Sequence, residues 1–215
     1  MTRLRLRIDL HVHTKHSHDC ATSVDEALRR CAAQGLDGIA ITDHDAIGGV
    51  AEALERRGSL IVVPGVEVSA RGAHILALNA SELVPAGLPL AETVDRIRCQ
   101  GALAVIAHPY FTLKTWVNGR EVEEAGFNAV EVANAAQFPY WWMLRKNSEL
   151  AERLGLPRTG GSDAHIPETV GRAYTVVEAD SREVEDVIRA IERGRTEPRG
   201  SGITLHERLK KLFKA

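Results

Sequence analysis

Cysteine is scarce in this 215-residue sequence, aromatic residues make up only 5%, and neither sign of charge prevails. Three cysteines (Cys20, Cys31 and Cys99), odd in number and widely spaced, exclude a disulfide framework and point to a reducing, cytosolic setting. Lys+Arg number 27 against Asp+Glu 29, a net charge of −2, so no basic field is present to recruit long nucleic acid or a membrane surface. No apolar run approaches the roughly 20 residues that a spanning helix needs. The opening MTRLRLRIDL lacks the apolar stretch and small-residue cleavage site of a secretory leader. Together these absences give the expectation of a cytoplasmic protein with no membrane partner. There is no internal repeat and no low-complexity tract.

Ionisable chemistry is present, and it is concentrated. Residues 9–20, DLHVHTKHSHDC, hold four of the nine histidines, an aspartate near each end and a cysteine. Around this stretch the hydrophobic pattern alternates between strand-like and helix-like runs. Apolar runs at 4–12, 38–42, 60–68, 74–79, 102–108, 129–134 and 173–179 read as strands. Helical patterns occupy 24–33, 50–57, 92–100, about 141–154 and 182–193. Capping boxes are expected at Ser23/Glu26 and Asp180/Glu183. Short buried strands separated by helices imply parallel pairing in a βα barrel or doubly wound sheet. EPRGSG (197–202) marks a boundary, placing a barrel in 1–197 and a short basic amphipathic helix in 198–215. That helix carries Leu205, Leu209, Leu212 and Phe213 on one stripe and is expected to lie on the end of the barrel.

The polar exceptions fall at one place in each unit. Asp9, His11 and His13 end the first strand, Asp43 and His44 follow the second, and Glu67 ends the third. His74 opens the fourth, His108 ends the fifth, and Asp163 and His165 come after PRTGG. In βα barrels the C-terminal ends of the strands carry the active site. Alternation along a strand puts Asp9, His11 and His13 on one face, with Leu10 and Val12 on the other. An H-x-H pair alone is weak evidence, since surface histidines give the same pattern by chance. Burying this many unpaired ionisable groups is costly unless a cation compensates them, which favours a metal centre. Nitrogen and carboxylate donors without thiolate suit Zn²⁺, Mn²⁺ or Fe²⁺. Cys20, with no second cysteine nearby, reads as packing.

In order and combination DLHVHT, ITDHD, PGVEVS, HILAL, AHPY, GGSDAH and VGRAYT resemble the PHP family, the polymerase-and-histidinol-phosphatase metal-dependent phosphoesterases, along nearly the whole chain. The resemblance implies an α/β fold, a distorted seven-stranded (β/α) TIM-like barrel in a single domain, with up to three divalent metal ions at its C-terminal end. Residue by residue it implies one metal on His11, His13, Glu67 and Asp163. Glu67 would bridge to a second metal completed by His74 and His108. A third would take His44, His165 and either His18 or Asp19; Asp19 is preferred, since S-x-D-C/S variants are familiar in the family. His16 would then be exposed near the mouth.

The function implied is metal-dependent hydrolysis of a phosphate monoester of a small metabolite or nucleotide, with a hydroxide shared by two metals as nucleophile. Glu67, Asp163 and Asp43 form the expected catalytic set. Asp43 and Asp9 are candidates for the leaving-group acid or, preferably, for carboxylates that orient imidazoles. Arg172 and Asn134 are candidates for substrate contact, Arg172 through its guanidinium fork, with a surface salt bridge as the competing reading. Tyr110, Trp116, Trp141 and Trp142 could form a base-stacking lid, although packing of the helix from Trp141 on the barrel is preferred. The expected partner is a small phosphorylated substrate, with no strong nucleic-acid binding. The alternatives are a nuclease or phosphodiesterase acting on nucleic-acid ends, and a non-catalytic metal-binding module.

Overall fold

In a computed structural model residues 3–110 and 117–214 are described, 212–214 as backbone only; Trp116 and the side chains of Leu212 and Phe213 lie outside the described residues. Nine strands run in the order β1 (Leu4–Val12), β2 (Gly38–Ile41), β3 (Ile61–Ala70), β4 (Ala73–Leu78), β5 (Leu103–Ile106), β6 (Ala129–Asn134), β7 (Arg158–Gly161), β8 (Ala173–Ala179) and β9 (Thr196–Gly200). Among the described residues seven α-helices accompany them: α1 (Val24–Ala33), α2 (Gly48–Arg56), α3 (Leu90–Cys99), α4 (Gly119–Ala125), α5 (Tyr140–Leu154), α6 (Val184–Glu192) and α7 (Leu205–Lys214). The sheet order is β7-β6-β5-β4-β3-β2-β1-β8-β9. Its ends approach each other. His13 N–H donates to Ala164 O at 3.1 Å, Asp163 N–H donates to His11 O at 2.8 Å, and Gly160 N–H donates to Thr175 Oγ1 at 2.8 Å. The result is a single-domain, nearly closed α/β barrel.

Pairing is mixed, not parallel throughout. β1–β2, β2–β3, β5–β6 and β6–β7 are parallel. β3–β4, β4–β5, β1–β8 and β8–β9 are antiparallel. The reversal at β4 has a local cause: only Arg71 and Gly72 separate it from β3, and Gly72 takes φ +84 in a turn too short for a crossover helix. Because β4 runs backwards, its first residues lie beside the last residues of β3, with Ser69 opposite His74. His74 therefore opens its strand and still shares an end with the residues that close theirs.

The interior is filled by alternate residues, among them Leu6, Ile8, Ala40, Ile61, Val63, Leu76, Leu78, Leu103 and Val105, together with Val187, Ile188 and Ile191 of α6. The opposite parity of the same strands packs under the outer helices: Ile39 and Val62 against α1 and α2, Ile75 and Ala104 against α3. α1 starts at the expected capping box, Ser23 Oγ accepting from Glu26 N–H while Glu26 accepts from Ser23 N–H. The second expected box does not form. α6 begins at Val184 with Glu183 as its N-cap, and Glu183 N–H donates to Ser181 Oγ. Asp180 instead lies within 3.5 Å of Arg3 and 3.8 Å of Arg195. α4 and β9 carry no clear periodicity in the sequence; the expected boundary at 197/198 falls inside β9.

α7 is held by polar contacts. Arg208 donates to Ala136 O and Gln137 O at 2.8 and 2.9 Å, and Lys210 pairs with Glu168. Leu205 and Leu209 face outwards. α5 packs on the barrel as expected, burying Tyr140, Met143, Asn147, Leu150 and Ala151, but Trp141 lies on its outer face, 70% exposed.

Candidate metal centre

Plain alternation would not deliver the H-x-H pair. A β-bulge in β1 between Asp9 and Val12 puts one extra residue opposite β2. Leu10 stays with the interior cluster and Val12 joins the outer one, so His11 and His13 turn into the barrel mouth without Asp9. The expectation that Asp9 shares their face is corrected by this bulge. Asp9 accepts three backbone N–H bonds, from His11 (3.3 Å), Ser162 (2.8 Å) and Gly171 (2.8 Å), and ties β1 to the loops around β7. Full burial pushes its carboxyl up to about 6.

On the other strands, parity and local backbone aim the ligands. Glu67 has the parity of Ile61 and Val63, and His74 that of Leu76 and Leu78, both inward. Ala107 already packs inward, so His108 would point out of the barrel; its φ of +29 redirects it. Asp163 has φ +52. Left-handed backbone at two non-glycine residues is a conformation that functional sites commonly enforce.

Glu67 is the centre of the arrangement and is buried. Its Oε2 is 3.0 Å from His11 Nε2, 3.1 Å from His13 Nε2 and 3.4 Å from His44 Nδ1. Its Oε1 is 3.0 Å from both His74 Nδ1 and His108 Nε2. Asp163 Oδ1 lies 3.4 Å from His13 Nε2 and 3.4 Å from His165 Nδ1. Asp19 Oδ2 is 2.9 Å from His165 Nε2 and 3.7 Å from His44 Nε2. His18 is exposed and, among the described residues, makes ring contact with His44 at 5.3 Å between centroids. All nine residues expected as ligands fall into four overlapping groups able to hold an ion: His13–Asp19–His44–His165, His11–His13–Asp163, His11–Glu67–His108 and His44–Glu67–His74.

The donor set fits divalent cations. It is all imidazole and carboxylate, and buried His44 Nδ1, though 3.4 Å from Glu67, makes no hydrogen bond among the described residues. Without a cation, protons take the compensating role. Burial would lower His13, but hydrogen bonds to Asp163 and Glu67 outweigh it and raise the ring to about 9. Burial likewise opposes ionisation of Glu67 and Asp163, and the facing His11 charge holds both well below the usual carboxylate range. His44 is pushed down to about 4 by burial, against the attraction of Glu67. His13 thus binds a proton at any pH below about 9, and a cation must expel it. Zn²⁺ affinity, measured by chelator competition, should rise with pH between 6 and 8.5, by ~tenfold per unit for each proton displaced. A flat profile would show that the ion binds elsewhere.

Other expected site residues have different work. Asp43 accepts from Thr14 N–H at 2.5 Å and from Thr14 O–H at 2.8 Å, so both oxygens fasten the loop after β1. Arg172 is bound by two guanidinium nitrogens to Glu207 and anchors α7. Asn134 donates to Glu131 Oε2 at 3.0 Å and Asp163 Oδ2 at 3.3 Å, and accepts from Ala136 N–H. Its amide is committed to the centre itself. His16 is half-buried and pairs with Glu52 at 3.2 Å. Glu131 was missed by the sequence reading: fully buried, it lies 2.9 Å from His11 Nδ1. A carboxylate as the one charged residue in AVEVAN was the available signal.

Against known proteins, the family model described as PHP-associated matches residues 143–196. The uncharacterized protein MJ1587 of Methanocaldococcus jannaschii is 32% identical over 142 residues, 60% of this chain and 82% of that protein. A 5'-3' exoribonuclease of Haemophilus influenzae is 31% identical over 60% of this chain and 44% of its own length. A 3',5'-nucleoside bisphosphate phosphatase of Chromobacterium violaceum is 40% identical over 42% of this chain and 33% of its own. A two-domain protein from Bacteroides vulgatus containing a predicted PHP-like metal-dependent phosphoesterase superposes with TM-score 0.76 at 20% identity, over 98% of this chain and 70% of that one.

Proposed function

This chain belongs to the PHP family of metal-dependent phosphoesterases, and from that premise we propose that it hydrolyses a phosphate monoester of a small metabolite or nucleotide. The observation that carries the reading is the convergence on Glu67: five imidazoles from four strands or strand ends (β1, β2, β4 and β5) lie within 3.4 Å of one carboxylate. His11, His13, Glu67 and Asp163 would hold one divalent cation, Glu67, His74 and His108 a second, and Asp19, His44 and His165 a third. Bound cations supply an acidified water and positive charge for phosphoryl oxygens.

The chain's own residues set the terms of that chemistry. The full burial of His11, His13 and Glu67 keeps bulk water from screening the charges. Ser17 Oγ donates to Asp19 Oδ1 at 2.9 Å and accepts from His44 N–H at 3.2 Å, pinning the loop that bears Asp19 to the end of β2. With Arg172 engaged by Glu207, a second basic side chain is proposed to meet the phosphate. Lys211 is the candidate, because it is carried by α7, which is anchored on the loops after β6 and β7. A terminal phosphate offers three non-bridging oxygens to three cation positions, and a diester only two. That difference, with the net charge of −2, favours a small monoester over a nucleic-acid strand.

The test is a panel of nucleoside monophosphates, nucleoside bisphosphates, sugar phosphates, cyclic nucleotides and short oligonucleotides, with Mn²⁺ or Zn²⁺ added. Inorganic phosphate should be released from monoesters, the release suppressed by a chelator and restored by Mn²⁺. Cleavage of oligonucleotides with monoesters untouched would replace this reading by the nuclease one, which the similarity to the exoribonuclease favours.

A further inference from the structure

Glu131 ligates nothing in the assignment above, yet three of the ligands depend on it. Its Oε1 is 2.9 Å from His11 Nδ1. Its Oε2 accepts from the His108 backbone N–H at 2.9 Å and from Asn134 Nδ2 at 3.0 Å. Asn134 in turn donates to Asp163. One fully buried carboxylate on β6 therefore joins groups from β1, from the end of β5 and from the loop after β7.

We infer that Glu131 is a positioning residue that fixes the tautomer of His11, holding the ring proton on Nδ1 so that Nε2 is left free for a divalent cation. The argument is one of donors and acceptors, and it rests on the metal-centre reading. A carboxylate only accepts, so the nitrogen facing it must carry the hydrogen. The other nitrogen, Nε2, lies 3.1 Å from His13 Nε2 and 3.0 Å from Glu67 Oε2, inside the ligand cluster, so the hydrogen it shares with Glu67 is the one a cation would displace while Glu131 keeps the other on Nδ1. The same carboxylate holds the His108 backbone, which matters because His108 is aimed inward only by its left-handed conformation. Carboxylates behind metal-bound imidazoles act in this manner in general.

The geometry makes Glu131→Gln unusually informative. Two N–H donors, from His108 and Asn134, converge on Oε2, so the amide oxygen of a glutamine must occupy that side. Its NH₂ is then forced towards His11 Nδ1, which must accept. The ring proton moves to Nε2 and blocks the ligand nitrogen. Glu131→Ala removes the acceptor without imposing the wrong tautomer, although it leaves two buried N–H groups unsatisfied and so lowers stability more.

The full chain, stripped of metal, is titrated with Zn²⁺ by chelator competition, and its melting temperature is recorded. Glu131→Gln should bind Zn²⁺ about 10–100-fold more weakly than the unsubstituted protein. Glu131→Ala should bind at least as tightly as Glu131→Gln despite melting lower. That inverted order is one a merely structural residue does not give. Nitrogen-15 long-range NMR of the unsubstituted, Zn²⁺-loaded protein should show the His11 proton on Nδ1, a readout that needs no variant to fold. Unchanged affinity in Glu131→Gln, an Ala variant that is worse in both measurements, or a bare Nδ1 overturns the inference while the metal centre stands. An unsubstituted protein that takes up no Zn²⁺ overturns both together.

Discussion

Glu67→Gln should reduce kcat/KM for the preferred phosphomonoester by roughly a thousandfold or more, a loss of about 4 kcal/mol of transition-state stabilisation. Each Glu67 oxygen faces at least two ring nitrogens at 3.0–3.1 Å. An amide puts a donor on one side, against nitrogens that must present lone pairs, and removes the charge that offsets the cations. The variant should also hold less metal by elemental analysis, separating loss of the centre from loss of a contact to substrate. His18→Ala is the comparison. His18 is exposed and, among the described residues, touches the cluster through the His44 ring, so its activity should stay within about threefold of the unsubstituted level, the scale of surface changes. Similar losses in the two variants would mean that His18, and not Asp19, serves the centre.

The part of this site that sequence reading reached was carried by period and position. Strands β1 and β6 and helix α1 have the bounds their apolar patterns gave, and most of the candidate ligands stood out because they interrupt apolar runs at strand ends, whereas Asp19 rested on the family resemblance alone. What it did not reach depends on backbone detail or on pairs distant in sequence. The bulge in β1 has no residue-level signature, yet it separates Asp9 from His11. Glu131 looks like an ordinary strand residue until β1 lies beside it, 120 positions away. Arg172 reads equally as a phosphate contact or as a salt bridge until Glu207, 35 residues on, engages it. The capping box at Asp180 had the right residues, but Asp180 finds Arg3 and Arg195 and the helix starts later. Local pattern located the chemistry; long-range pairing decided which polar groups remained available for it.

Gly161→Ala should cost about a hundredfold in kcat/KM, although no candidate ligand is replaced. Gly161 ends β7 where that strand lies against β1, and its φ is not left-handed, so the backbone itself would accept alanine. Space is the obstacle. A Cβ there would lie 2.4 Å from His11 Cβ, 2.7 Å from His11 N and 3.0 Å from His11 Cα. All three are rooted in β1, so no flexible side-chain tip can swing away, and one strand must move. Asp163 N–H is bonded to His11 O and Ser162 N–H to Asp9 at this seam, so any separation pulls His11 and Asp163 apart within the same ligand group. A displacement of ~1 Å at reacting groups costs on the order of 10²-fold, and the overpacking adds about 1–3 kcal/mol of destabilisation. Ile97→Ala, buried on α3 under the outer face of the sheet, separates the two effects. It should lose about 2–5 kcal/mol of stability and keep its kcat/KM per folded molecule. If Gly161→Ala instead matches Ile97→Ala, losing stability but no activity, the seam between β1 and β7 does not set the geometry of the centre. Placement of His11 would then rest on the bulge and on Glu131 alone.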